Sequence, residues 1–399
     1  MSGERGSGRT TAAVLVLALV AGCAAVPPPC APPAGPPVAH VEYEPARWSE
    51  LPGWRRDEVR GAWTAFLAEC RVVGMRPPWI AACRAARRTH PASGRAVRAF
   101  FERRFRPYRL AVRIGPRVER RGLVTGYFEP LLRGSLTPTG RFDTPLYAPP
   151  PDLLTVDLAS LYPQLKGLRV RARLEGHRVV PYYSRADLAR DPALKGRAIV
   201  WVEGPLAAFF LEVQGSGRIE LPDGRVLRLH YADENGYPYR SIGRVLVEQG
   251  ELTPAQATMA GIRGWARRHP HRVKALLDQD PSVVFFSAAP LEDPAAGPPG
   301  ALGVPLVPGR SIAVDPRAVP LGSPVYLATT TPGSSAPLQR LVLAEDTGGA
   351  IRGAVRADLY FGTGDAAGDE AGEMRESGRL WLIWPRGAPL PAGRAHAPP

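Results

Sequence analysis

The last third of the chain constrains its fold most. Short runs rich in Val, Leu, Ile and aromatic residues follow one another there: Val283 to Phe286, Ser311 to Val314, Pro324 to Ala328, Arg340 to Ala344, Ala354 to Tyr360 and Arg379 to Trp384. Each has strand length, and Gly- and Pro-containing turns separate them; a Pro/Gly-rich loop, 290–308, follows the first. Short strands joined by turns suit a small closed barrel better than a parallel α/β sheet. There is no internal repeat.

Upstream, the period changes. Asp57 to Arg71 places Val59, Trp63, Phe66, Leu67 and Cys70 at helical spacing, and Arg95 to Phe105 does the same with Val97, Phe100, Phe101 and Phe105 before Pro107 stops it. Leu123 to Pro130 reads as a strand, as does Ala198 to Val202. Phe209 to Gly217 reads as another strand, ending in a small-residue turn. Ile219 to Leu221 and Val226 to His230 flank Pro222-Asp223-Gly224, a hairpin signal. A helical block follows. Ser241 to Gln249 is capped by Gly250, and Thr253-Pro254-Ala255-Gln256 has the grammar of a capping box opening a helix to about Arg268. Pro270 opens a third helix, ending near Asp280. The fold class expected is mainly β with helical segments.

The ends read differently. Arg5 and Arg9 precede an apolar run, Thr10 to Val20, that is short for a membrane span of about 20 residues. Val20-Ala21-Gly22-Cys23 then resembles a bacterial lipoprotein signal, with residues 1–22 removed and Cys23 lipidated; an ordinary secretory signal is the alternative. Residues 23–44 read as a Pro-rich tether and 387–399 as a disordered tail. Of the four cysteines, Cys23 goes to lipid and Cys30 lies in the tether. Cys70 and Cys83 are left as a disulfide, which export permits, or as two separately buried thiols. The formal charge of +14 falls only to +13 without residues 1–22, which carry Arg5, Arg9 and Glu4. A basic exported chain suits an anionic polymer or surface, although an Arg-rich genome gives the same composition. No nucleic-acid motif and no Cys/His array of zinc spacing is present, so neither nucleic acid, metal nor cofactor is expected.

Three aspartates sit among these strands: Asp315 in Ile312-Ala313-Val314-Asp315-Pro316, Asp346 in Ala344-Glu345-Asp346-Thr347-Gly348-Gly349, and Asp358 in Arg356-Ala357-Asp358-Leu359-Tyr360. Alternation puts Asp358 and Tyr360 on one face and Ala357 and Leu359 on the other. A carboxyl group on a desolvated wall keeps its proton near neutral pH, as a general acid for glycosidic cleavage must. Asp346 and Asp315 each adjoin a turn and could instead cap backbone N–H groups.

These blocks resemble the membrane-bound lytic murein transglycosylase A family over roughly Val118 to Pro385. The three aspartates match its 3D domain. Val124-Thr125-Gly126-Tyr127-Phe128-Glu129-Pro130, Val213-Gln214-Gly215-Ser216-Gly217 and Asn235-Gly236-Tyr237-Pro238-Tyr239-Arg240-Ser241-Ile242-Gly243 look like its remaining motifs. Asp280-Pro281-Ser282 departs from an expected Asn-Pro-Ser. The resemblance implies a double-psi β-barrel domain, here 45–133 and 281–386, with a second β-rich domain inserted at 134–280 and a glycan groove between them. It implies Asp358 as the acid that cleaves the MurNAc–GlcNAc bond of peptidoglycan without water, leaving 1,6-anhydromuramoyl ends. Asp346 and Asp315 would support it, and Thr125, Tyr127, Gln214 and Ser216 would line the groove, with core packing the alternative for Tyr127. It further implies a monomer that contacts peptidoglycan strands from the periplasm, anchored by lipid to the outer membrane. A hydrolase using Asp346 as second carboxylate, and a barrel that binds peptidoglycan without cutting it, are the competing readings.

Overall fold

The computed structural model describes residues 39–162, 165, 170–190, 194 and 196–393. The signal run, Cys23 and Cys30 lie outside these residues. Among the described residues, nine strands form one sheet, six a second and three a third.

The largest sheet contains a closed ring. Gly122–Glu129, Ala357–Thr363, Ser311–Val314, Pro337–Asp346, Ser323–Thr330 and Arg375–Pro385 pair in that order, and Arg375–Pro385 pairs back onto Gly122–Glu129. The ring mixes parallel pairs, such as Ala357–Thr363 with Gly122–Glu129, and antiparallel ones. This is the small barrel expected from the strand lengths and turns. Phe105–Ile114 and Ala39–Pro45 extend the sheet from Arg375–Pro385. The segment expected to be tether up to residue 44 therefore includes a strand, because His40 to Pro45 finds a full antiparallel partner. At the other end the Trp384 indole N–H donates to the Pro389 carbonyl at 3.0 Å, so the tail follows the barrel before its described part ends at 393.

Ser323–Thr330 is buried along nearly its whole length, without the alternation of a half-exposed strand. The reason is the helical opening. Helices Arg60–Val73, Ile80–Arg87 and Gly94–Arg104 contribute to the same core as the barrel strands. Trp63, Phe66, Phe100, Phe101 and Phe105 form an aromatic cluster, with Trp63 edge-on to Phe100 at 4.8 Å. Cys70 and Cys83 are disulfide-bonded, tying the first two helices together.

Beyond Glu129 the chain enters the six-stranded sheet through Leu131–Ser135 and leaves it after Val284–Pro290. The expected hairpin is present as Ser216–Glu220 with Val226–Glu234, turning at Gly224. Two expectations in this region fail. Phe209 to Gln214 is helical, within Pro205–Gln214, and only Ser216 onward is strand. Its apolar run was ambiguous because the helix is covered on both sides: Phe209 and Phe210 pack into the helical block, Ala208 and Leu211 against the sheet. Pro205 at its first turn and Gly215 at φ 78° beyond its end mark its limits. The Thr253–Gln256 box forms its bonds, with Gln256 N–H to Thr253 Oγ1 at 3.3 Å, but closes a single turn. The helix restarts at Met259–Arg268, capped by Thr258. Asp280 caps its turn through its side chain, accepting the Arg240 and Ser282 N–H groups. Helix Asp365–Glu373, against Gly122–Glu129 and Ala357–Thr363, was not foreseen.

Candidate active site

Four ring strands bring the acids together by register. Asp358 stands opposite Ala313 on one side and Thr125 on the other, and Ala313 is in turn opposite Asp346. Asp346, Ala313, Asp358 and Thr125 thus form one row across the barrel wall. Strand spacing puts the Asp346 and Asp358 backbones about 10 Å apart, with a small alanine between them.

The two acids are held differently. Asp358 is half-buried, and the Thr125 hydroxyl donates to its Oδ1 at 2.5 Å. Among the described residues its Oδ2 takes no hydrogen bond. Burial pushes the Asp358 carboxyl above its ordinary range; the nearby Arg356 guanidinium and the Thr125 bond pull the other way and lose. Asp346 is saturated. Ala301 and Thr347 N–H groups both donate to Oδ1 at 2.9 Å, and the Tyr127 hydroxyl donates to Oδ2 at 3.0 Å. Burial still raises its pKa, against those three donors and with a contribution from Asp358.

Asp315 is not part of this row. Its carboxylate pairs with the Arg317 side chain at 3.0 Å and accepts the Arg317 and Gly353 N–H groups. Burial opposes ionisation, but these donors outweigh it and hold the pKa below the usual value. It fixes the turn at Gly353 from which the Asp358 strand departs.

Of the groove candidates, Thr125 and Tyr127 touch the acids. Tyr127 is only 9% exposed and packs with Leu306, Ala313, Ile351 and Tyr360, so its ring belongs to the core while its hydroxyl serves Asp346. Gln214 spends its Oε1 on the Phe128 N–H at 3.0 Å, joining the helix Pro205–Gln214 to the Thr125 strand. Ser216 pairs with His230 across the hairpin and makes no bond to either acid. Arg356 was missed, although its place two residues before Asp358, just ahead of the strand Ala357–Thr363, was a readable signal. The contribution of Ala301 comes from a distant loop and left no signal.

The chain matches the family model for the MltA specific insert domain over residues 123–287 and that for the 3D domain over 310–384. It is similar to a crystal structure of MltA from Neisseria gonorrhoeae, at 33% identity and a TM-score of 0.72, covering 90% of this chain and 95% of that one. The chain belongs to the MltA family. It is also 33% identical to the membrane-bound lytic murein transglycosylase A of Escherichia coli K12 over 269 residues, which is 65% of this chain and 64% of the relative. The chain thus spans just under two thirds of that relative's length. A second MltA structure, from E. coli with bound chitohexaose, is similar at 27% identity and a TM-score of 0.63, covering 88% of this chain and 95% of that one. Among the described residues no helix is long and apolar enough to cross a membrane.

Proposed function

We propose that this MltA-family chain is a lytic transglycosylase that cleaves the β-1,4 bond between MurNAc and GlcNAc in peptidoglycan. The observation that carries the reading is Asp358: a half-buried carboxyl, raised by burial, with one oxygen steadied by Thr125 and the other unbonded. Protonated, it gives its proton to the glycosidic oxygen as the bond to muramoyl C1 breaks. The carboxylate left behind accepts the proton of the muramoyl C6 hydroxyl, whose oxygen bonds to C1. The products are a 1,6-anhydromuramoyl end and a free GlcNAc hydroxyl; no water is consumed. The Thr125 hydroxyl and the Arg356 charge stabilise Asp358 in its ionised phase.

Asp346 is a supporting residue in this reading. With both oxygens occupied, it holds Tyr127 and Ala301 beside the acid rather than acting as a base or nucleophile. Asp315 acts at one remove, through the Gly353 turn. The hydrolase reading keeps one point in its favour, a second raised carboxyl two strands away, and product structure separates the two. The relative crystallised with chitohexaose and the positive charge support glycan strands as substrate. The domain limits shift from those expected, 45–133 with 281–386 for the barrel and 134–280 for the insert: the six-stranded sheet of the insert begins at Leu131 and ends at Pro290, and the barrel sheet begins at Ala39. Of the expected groove residues, Thr125 and the Tyr127 hydroxyl reach the acids, Gln214 and Ser216 serve the insert beside them, and the protein works as a periplasmic monomer. Attachment is by lipid on Cys23 to the outer membrane, in line with relatives named membrane-bound.

The test is mass spectrometry of fragments released from purified sacculi by the chain without its signal. Anhydromuramoyl ends, lost in Asp358→Asn, support the reading. Reducing muramoyl ends point to hydrolysis, and bound protein on intact sacculi points to a binding module.

A further inference from the structure

Outside the acid row, one buried charge ties the barrel to the six-stranded sheet: Glu129, at the end of the strand that carries Thr125. It is 0% exposed. Arg218 Nε donates to its Oε2 at 2.7 Å and Arg228 Nε to its Oε1 at 2.9 Å; Thr363 Oγ1, on the Asp358 strand, donates to Oε2 at 2.9 Å. The two arginines come from the hairpin of the six-stranded sheet. Both also donate to the loop 291–308: Arg218 to the Pro294 and Ala296 carbonyls at 2.8 and 3.0 Å, and Arg228 to Ala296.

That loop continues directly to the acids. Ala301 N–H donates to Asp346, Leu302 N–H to the Glu345 carbonyl at 2.9 Å, and Leu306 packs against Tyr127 and Tyr360. Gly300 permits the approach, since a Cβ there would lie 2.5 Å from the Glu345 carbonyl oxygen.

Resting on the transglycosylase reading, we propose that Glu129 is a positioning residue whose pairs with Arg218 and Arg228 clamp the loop 291–308 over Asp346 and so keep the acid row dry. Two buried arginines side by side repel, and a single carboxylate holds both. Without it, their grip on the loop carbonyls loosens, water reaches Asp346 and Asp358, and the acids lose their raised pKa values. The ionisable groups within reach are Tyr360 and His230 at the clamp, and Arg356, Tyr127 and Glu345 at the acids.

The experiment compares the parent chain with Glu129→Gln and Arg228→Met. It follows amide hydrogen exchange at Gly300, Ala301 and Leu302, and the pH profile of kcat on soluble peptidoglycan strands. The expected result is faster exchange at those three amides with the Ser323–Thr330 strand unchanged. In addition, kcat falls about tenfold or more with KM within about twofold, and the basic limb of the profile moves to lower pH. Unchanged loop exchange in a folded variant overturns the proposal, as does a fall in activity whose pH profile stays in place. If Glu129→Gln fails to fold, Arg228→Met, which keeps the Glu129–Arg218 pair, decides by the same measures. If the parent releases no anhydro product, the functional reading fails while the exchange data still judge the clamp.

Discussion

Asp358 and Asp346 differ by what occupies their oxygens, and the proposed function rests their separate roles on that difference. Asp358→Asn keeps the shape and an acceptor for Thr125 but has no proton to give. Turnover should drop by a factor of about 100 to 10,000, read as anhydromuramoyl product, with glycan binding retained. Thr125→Val removes the donor that favours ionised Asp358, so the Asp358 pKa should rise further. The basic limb of the kcat profile then moves to higher pH, the direction opposite to that expected for the Glu129 variants, while kcat falls because the carboxylate phase is less stable. Much of this was legible. Strand alternation put Asp358 on the face it shares with Tyr360, and the motif blocks named Thr125 and Tyr127. Gln214 was named too, but its bond to the Phe128 backbone was not readable, because it depends on where a helix end meets a strand from another sheet.

The strand Pro337–Asp346 carries a second carboxyl on its inner face. Glu345 is buried, accepts a bond from the Ser311 hydroxyl, and lies near Glu69 of the helix Arg60–Val73; among the described residues neither Glu69 oxygen has a hydrogen-bond partner. Burial pushes the Glu345 carboxyl up to about 8, against the Ser311 bond and with a contribution from Asp346. The folded chain therefore holds a proton that the unfolded chain releases near the ordinary value. Stability from this group is retained in acid and lost as pH rises from about 4.5 towards 8. Glu345→Gln has no proton to lose, so its unfolding free energy relative to the parent should improve steadily between pH 4 and pH 8 in urea titrations. A pH-independent difference would remove Glu345 from the account. Element types were legible where periodicity was clean, as in Arg60–Val73 and the hairpin at Gly224. They were not where packing is two-sided, as at Phe209, or where Ala and Gly dominate, as in Asp365–Glu373.

On the scale of the molecule, one core joins the helical opening to the barrel, and the disulfide reinforces it within the first two helices. Cys83→Ser should lower unfolding free energy by about 3 kcal/mol, the value for a short closed loop, and reductant should do the same to the parent and nothing further to the variant. The sequence signalled a barrel by strand length and turns, but not its seam. Gly122–Glu129 is separated from its ring neighbours by the whole six-stranded sheet, and nothing local marks Thr125 as the partner of Asp358. That seam sets an order of events. The acid row needs a strand from before the insert and strands from after it, and the ring is sealed only when Arg375–Pro385 seats against Gly122–Glu129. Such distant pairing is slow to form. On the proposed function, the incomplete chain is therefore idle until its final strand arrives, and a version stopped before Arg375 should release no muropeptide at all.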